Sequence, residues 1–481
     1  MSHSDLILHV KEDMVQALGC TEPGIISLAC ARAAGALRER FGEADGAAET
    51  EKRLLFAGRI SAVEVKVSSG IYKNAYSCGI PGTVYSGSEY AAAIGAVGGR
   101  PERGLTVLSG LSEAQIRAAW KLRERGLVTV SVGVEGPGIY VSAVVTAAGH
   151  RAEARIVGSH VSDSFLAVDG EVIYRHETEQ GQEEREGAAL AALDFAAFRA
   201  CADAASEEEL SFIGEAVDVN LTLASEGIAW ERCTITGALL KGLPEEVRRM
   251  VRAGEVPTGI DPQSYARILT AAAIEARFLG AGAPAVSVVG SGAHGIICTL
   301  PIAAAARLTG AGRGRMLRAI FLHTLVTAYV KEYSGRLSAF CGCGIAGGLG
   351  LSYALGYLEG AEADVSERAF ANMSSSVTGM LCTGGNQACA MKALSAVDAA
   401  FTAHTLALAG AGIGAYTGIV SFSPEQTARN IGRIADPGML QTDRTILDLY
   451  LADAKRRKGD ERQEKAGYPE NPENSKKVLA K

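Results

Sequence analysis

Near residue 180 the hydrophobic period of this chain changes, and that change constrains the fold more than any single motif. From about residue 57 to 175 the pattern alternates. RISAVEVKVSS and ERGLVTVSVGVE read as strands, and GIYVSAVVTAAG followed by HRAEARIVGS reads as a strand and hairpin. Between them SEAQIRAAWKLRERG has a serine N-cap, helical spacing and a glycine stop, with Ile116, Trp120 and Leu122 expected to face a sheet. Beyond 180, QEEREGAALAALDFAAFRACADA, PQSYARILTAAAIEARFLGAG and RGRMLRAIFLHTLVTAYVKEY are long helical patterns. Glycine-rich joints interrupt them at VVGSGAHGI (288–296), CGCGIAGGLG (341–350) and LCTGGNQACA (381–390). The expected fold class is therefore α+β. It comprises an N-terminal helix plus α/β part with a small mixed sheet (1–180), a mostly α-helical domain (181–453), and a charged tail (454–481) expected to be disordered.

A chain of 481 residues can bury a large core, and its formal charge of -7 argues against nucleic-acid binding. The most apolar stretch, FTAHTLALAGAGIGAYTGIV (401–420), contains His404, Thr405 and four glycines. It is expected as a buried helix pair or helix–turn and not as a membrane span. The first residues, MSHSDLILHVKEDMV, carry acids and no long apolar run, so no signal peptide is expected. Ten cysteines without such a signal point to a reducing compartment, the cytoplasm.

Cys30, Cys201, Cys233 and Cys298 lie in apolar or helical contexts, as small buried hydrophobes do, and Cys78 is left undecided. Cys20, Cys341, Cys343, Cys382 and Cys389 remain. Residues seven apart on an unbroken helix stand about 10.5 Å apart along its axis. Cys382 and Cys389 therefore reach one iron–sulfur cluster only if the helix breaks between them, which Gly384 and Gly385 permit. Cys341 and Cys343, if helical, point about 200° apart, so one of the pair is expected to ligate. No ferredoxin or zinc spacing is present, and spacing alone leaves metal binding and simple burial both open.

GCTEPG (19–24) places Cys20 just before a helix that Thr21 or Glu22 can cap, with Pro23 in an early position. At the positive end of a helix a thiolate is favoured, which suits a nucleophile or a proton-abstracting base. A packed thiol before an ordinary helix start is the other reading. In GSGAHGI (290–296), Ser291, Gly292 and His294 offer a nest of donors for a carboxylate or phosphate, or a tight turn with a surface histidine. Without GK[ST] it is not a P-loop. IYKNAY (71–76) offers Lys73 and Asn74 after a strand.

Taken in order, GCTEPG, YKNAYSCGIPGT (72–83), GSGAHGI, KEYSGRLSAFCGCGIAGGLG (331–350) and MSSSVTGMLCTGGNQACAMKA (373–393) resemble the L-cysteine desulfidases. These are relatives of the α-chain of the iron–sulfur L-serine dehydratases, and the resemblance covers nearly the whole chain except the tail. It implies an oxygen-sensitive lyase that uses a [4Fe–4S] cluster and no pyridoxal phosphate (PLP). It implies Cys343 (Cys341 as the alternative), Cys382 and Cys389 as ligands, with one iron not held by cysteine. It implies Cys20 as the base, and Ser291, Gly292, His294, Lys73 and Asn74 as candidates to hold a small amino-acid substrate. The expected reaction is β-elimination from L-cysteine to pyruvate, ammonia and hydrogen sulfide.

Two departures bear on substrate: CTGGN stands where the family usually reads CDGAK, and Ala293 where GSGNHGI or GSGNQGI is usual. Dehydration of L-serine or L-threonine, or elimination from another β-substituted amino acid, is the alternative within enzymes. A non-catalytic iron–sulfur redox sensor is the alternative of another class. Neither nucleic acid nor membrane is expected as a partner, and the apolar, glycine-rich helices suggest a homo-oligomer.

Overall fold

The computed structural model of the chain describes residues 1–41, 48–136, 138–158, 163–176, 189–335 and 337–464. Its strands, in chain order, are β1 (Gln16–Ala17), β2 (Ile60–Ser68), β3 (Val128–Val134), β4 (Tyr140–Ala147), β5 (His150–Val157), β6 (Asp163–Val168), β7 (Glu171–Arg175) and β8 (Ala285–Val286). Six of them form one mixed sheet in the order β3-β2-β4-β5-β6-β7, with β2 and β3 parallel and the other pairs antiparallel. In β2, Val63, Val65 and Val67 are buried while Glu64 and Lys66 are exposed, the period of two that covers a core with one face. The β4–β5 turn places Ala148 and Gly149 at φ 50° and 85°, as a tight two-residue hairpin requires. Ile25 and Leu28 of the Thr21–Phe41 helix and Ile94 of the Ser88–Gly98 helix share the core with Val63, Val141, Val145 and Ile156. Each such aliphatic side chain contributes about 1.5–3 kcal/mol by leaving water.

The Glu113–Glu124 helix starts at Ser112, whose hydroxyl accepts from Gln115 N while Gln115 accepts from Ser112 N, a reciprocal cap. Its buried face is Gln115, Ala119 and Leu122; Trp120, expected on that face, is 39% exposed. One position of helical rotation separates the two, because the helix packs on its Ser88–Gly98 neighbour.

The second half is helical, as its period implied. The helices Pro262–Leu279, Gly292–Thr309, Arg313–Ser334, Gly347–Glu359 and Ala388–Leu408 pack around one apolar core. Phe195 anchors the outer Phe195–Ala204 helix to it by edge-on contacts with Tyr329, Tyr353 and Phe370 at 5.2–5.3 Å between ring centres. The stretch 401–420 is the helix–turn alternative, with Phe401, Ala403, His404 and Ala407 buried, but it is not buried throughout. The helix ends at Leu408, and Leu406, Leu408, Ile413 and Tyr416 are 39–80% exposed. None of the described helices is long and apolar enough to cross a membrane.

Two connections bring the halves together. β1 pairs with β8, and Ser287 N donates to Val15 O, so the chain start is stitched to the segment before the Gly292–Thr309 helix. Leu6, Val10 and Cys20 accordingly pack into the helical core and not under the sheet. At the other end the Leu440–Glu464 helix runs past residue 454, where a tail was expected, and Leu447 and Leu451 pack against the core of the N-terminal half. Residues 465–481, the rest of that expected tail, lie outside the described residues.

Candidate functional site

Cys20 is 3% exposed and its carbonyl accepts from Gly24 N, which makes Cys20 itself the N-cap of the Thr21–Phe41 helix. The flanking residues expected to cap are used elsewhere. Thr21 donates its hydroxyl to Gly290 O at 3.0 Å, and Glu22 accepts from Asn74 Nδ2 at 3.0 Å. GCTEPG is therefore tied to both GSGAHGI and YKNAY by its own side chains.

The two cysteine motifs meet through an isolated antiparallel bridge between Phe340 and Leu381. Cys341 N donates to Met380 O at 3.1 Å and Cys382 N to Ala339 O at 2.7 Å. Cys341 is extended, not helical, and its sulfur lies 3.7 Å from that of Cys343. The expectation that the pair diverges is thus corrected: both thiols line the same cavity. The helix break expected between Cys382 and Cys389 is present. Gly384 has φ +72°, and Cys389 lies in the first turn of the Ala388–Leu408 helix.

One cavity of about 80 Å³ is lined by Cys20, Asn74, Ser291, His294, Cys341, Cys343, Cys382 and Cys389. Among the described residues no trio of His, Cys, Asp or Glu closes around a single ion. The donor chemistry fits a polynuclear iron–sulfur cluster instead, since thiols from three backbone segments face one space that also receives the ammonium groups of Lys331 and Lys392. Lys392 donates to Thr383 Oγ1 at 2.7 Å. Burial pulls Lys331 down to about 8 although the thiols of Cys382, Cys341 and Cys343 oppose that shift. A hydrogen bond from Cys343 lowers Cys341 to about 7, and the same bond raises Cys343. Burial raises the thiols of Cys382 and Cys389.

GSGAHGI is a tight turn followed by a helix start. Val289 and Gly290 sit at positive φ between Val288 and Ser291, whose backbones bond reciprocally at 3.0 Å. Ser291 precedes the Gly292–Thr309 helix without spending its hydroxyl on it. His294 is buried, not a surface residue, and its Nδ1 donates to Val288 O at 3.0 Å. Burial, then the Lys331 charge, pushes its pKa down to about 3, so the imidazole is neutral with Nε2 free to accept. Lys73 does not line the cavity. Its ammonium donates to Ser338 O at 3.0 Å and pairs with Asp443 of the Leu440–Glu464 helix, so it acts as a strut.

Several participants escaped sequence reasoning. Cys78, left undecided, is fully buried, and its thiol lies 3.0 Å from both Asn74 O and Gly385 O, the two carbonyls that share its one proton. Lys331, Lys392 and Arg277 also line the cavity. The signal for Arg277 was its charge inside the apolar helix AAAIEARFL. Cys30, Cys201, Cys233 and Cys298 are buried outside the site, as expected.

A family profile described as serine dehydratase alpha chain matches residues 102–448. Curated relatives carry the name UPF0597 protein. One from Clostridium botulinum (strain Langeland) is 32% identical over 463 residues, 95% of this chain and 100% of its own length. Another from Oleidesulfovibrio alaskensis is 35% identical over 451 residues, covering 93% and 97% of the two chains. A third, from Caldanaerobacter subterraneus subsp. tengcongensis, is 34% identical over 444 residues, covering 92% and 97%.

Proposed function

The chain belongs to the serine dehydratase alpha-chain family, and from that premise we propose that it is an iron–sulfur lyase acting on L-cysteine without pyridoxal phosphate. Its products would be pyruvate, ammonia and hydrogen sulfide. The observation that supports the reading is that Cys20, from the chain start, lines one cavity with Cys341, Cys343, Cys382 and Cys389. Cys382, Cys389 and one of Cys341 and Cys343 would hold a [4Fe–4S] cluster with one iron lacking a cysteine. When bound, such a cluster supplies a Lewis acid that takes up negative charge developing on the substrate.

The chain's own residues account for the remaining chemistry. The Cys20 thiolate, at the positive end of the Thr21–Phe41 helix, removes the α-proton. Burial, and then the neighbouring Cys20 sulfur, keeps the Cys78 thiol protonated. The electron pair of the Cα–H bond becomes the Cα=Cβ bond, and the Cβ–S bond breaks with sulfide as the leaving group. The resulting aminoacrylate tautomerises and hydrolyses to pyruvate and ammonia. Neutral His294 offers Nε2 to the substrate ammonium, and Asn74, oriented by Glu22, and Ser291 offer further polar contacts. Such a cofactor requires a reducing setting, and we place the protein in the cytoplasm on that ground.

L-Serine is the second candidate substrate, because the family description names it. The test reconstitutes the protein anaerobically with iron and sulfide and compares kcat/KM for L-cysteine, L-serine and L-threonine. A preference of at least tenfold for L-cysteine, with sulfide and pyruvate in equal amounts, is expected. Water loss from serine as the faster reaction would reassign the substrate, and no product from any of them would leave a non-catalytic iron–sulfur protein.

A further inference from the structure

The cavity holds a guanidinium that no carboxylate pairs with: Glu22, the acid in its lining, accepts from Asn74 Nδ2 instead. Arg277, in the last turn of the Pro262–Leu279 helix, is 3% exposed and lines the cavity, and its Nη1 makes no hydrogen bond. Among the described residues no carboxylate forms an ion pair with it. The acid two positions earlier is committed elsewhere: Glu275 accepts from Ile235 N, Thr236 N, Thr236 Oγ1 and Gln387 Nε2. A cation buried without a partner is costly, and a site that keeps one is built to receive an anion.

The surroundings say which anion. A Cβ placed on Gly292 would stand 1.9 Å from Arg277 Nη1 and 2.2 Å from Cζ, so the guanidinium lies flat against the first residue of the Gly292–Thr309 helix. The amides of that helix start have no side-chain cap, because Ser291 leaves them unbonded. A planar two-pronged cation and a helix N-terminus facing one space match a carboxylate, whose two oxygens take parallel hydrogen bonds. The other cations of the cavity are placed differently, Lys392 on Thr383 and Lys331 beside the cluster thiols.

We propose that Arg277, together with the amide end of the Gly292–Thr309 helix, binds the substrate α-carboxylate, so that the site takes small α-amino or α-hydroxy carboxylic acids and rejects their amides. This rests on reading the cavity as the lyase site. It adds which end of the substrate is anchored and why position 292 is glycine.

The test is calorimetric binding to the intact, anaerobically reconstituted protein of two probes that have no leaving group. L-Alanine carries the carboxylate and L-alaninamide does not. L-Alanine should bind at least tenfold more tightly than L-alaninamide. Arg277→Gln should lose at least tenfold in L-alanine affinity with its iron content and L-alaninamide affinity unchanged, and Arg277→Lys should recover part of the loss. Gly292→Ala keeps the guanidinium but displaces it, and should weaken L-alanine binding in the same direction. Equal binding of the two probes, or of neither, overturns the proposal. So does a folded Arg277→Gln protein that binds L-alanine as the parent does, or one whose lost affinity is matched by lost iron. Because neither probe can be eliminated, absence of turnover with L-cysteine would sink the lyase reading while carboxylate discrimination still stood.

Discussion

Phe340 and Leu381 pair as an isolated antiparallel bridge, and that single pairing sets Cys341 beside Cys382. The two cysteine motifs are distant in sequence, so the bridge fixes the ligand geometry that neither motif has alone. Cys382→Ala and Cys389→Ala should each lose bound iron and at least about a hundredfold in activity. Of Cys341→Ala and Cys343→Ala, one should behave the same way and the other should retain iron. Iron per chain and the visible sulfur-to-iron absorbance measure this; equal retention in all four variants would remove the cluster assignment.

Of the two glycines between Cys382 and Cys389, Gly384 approaches backbone and Gly385 the Cys78 sulfur and the Phe278 ring. A Cβ at Gly384 would lie 2.3 Å from Lys73 O, at a φ of +72° that side chains rarely adopt. Gly384→Ala should therefore cost about 1–3 kcal/mol of stability and shift Cys389 out of the cavity. Denaturant unfolding together with iron content checks both effects.

Lys73 and Asp443 form a pair in which the ammonium is 1% exposed and the carboxylate 17%. Removing one partner strands a buried charge. Asp443→Asn should cost about 3 kcal/mol and free the Leu440–Glu464 helix for proteolysis. A double replacement, Lys73→Met with Asp443→Leu, should recover much of that loss in a mutant cycle.

Stability should fall on mild acidification. Burial pushes the His323 imidazole down to about 4, whereas in the unfolded chain it titrates near 6.5. Below pH 6.5 the unfolded state binds the extra proton, so stability present at neutral pH is lost progressively as pH falls toward 4. Between pH 6.5 and 5 this amounts to about 2 kcal/mol. His323→Gln should lose less stability than the parent over that interval, by unfolding at the two pH values. An unchanged acid sensitivity would contradict the buried neutral imidazole.

The α+β class and the individual strands were legible because the change from period two to helical period is a local property, visible in VEVKV and in LRAIFLHTLV alike. The thiols were legible as a set, but their convergence was not. Cys341 and Cys343 look divergent if the CGC segment is taken as helix, and only the Phe340–Leu381 pairing, a long-range contact, turns them to one side. Lys73 looked like a substrate ligand for a related reason, since its partner Asp443 lies in a stretch whose sequence names no destination. Trp120 was misplaced by one helical step because amphipathic spacing fixes a face only to within a residue. Arg277 carried no motif, and Cys78, although inside YKNAYSCGIPGT, carried no role there; both emerge from burial and from missing or shared partners.

The most direct test of the central claim compares Cys20→Ala with the parent after anaerobic reconstitution, measuring iron content and the release of sulfide and pyruvate from L-cysteine. Equal iron is expected in the two proteins, with turnover in the variant lower by at least about a hundredfold. Full turnover in Cys20→Ala would contradict that claim, and the thiol at the head of the Thr21–Phe41 helix would then be a packed side chain and not the base.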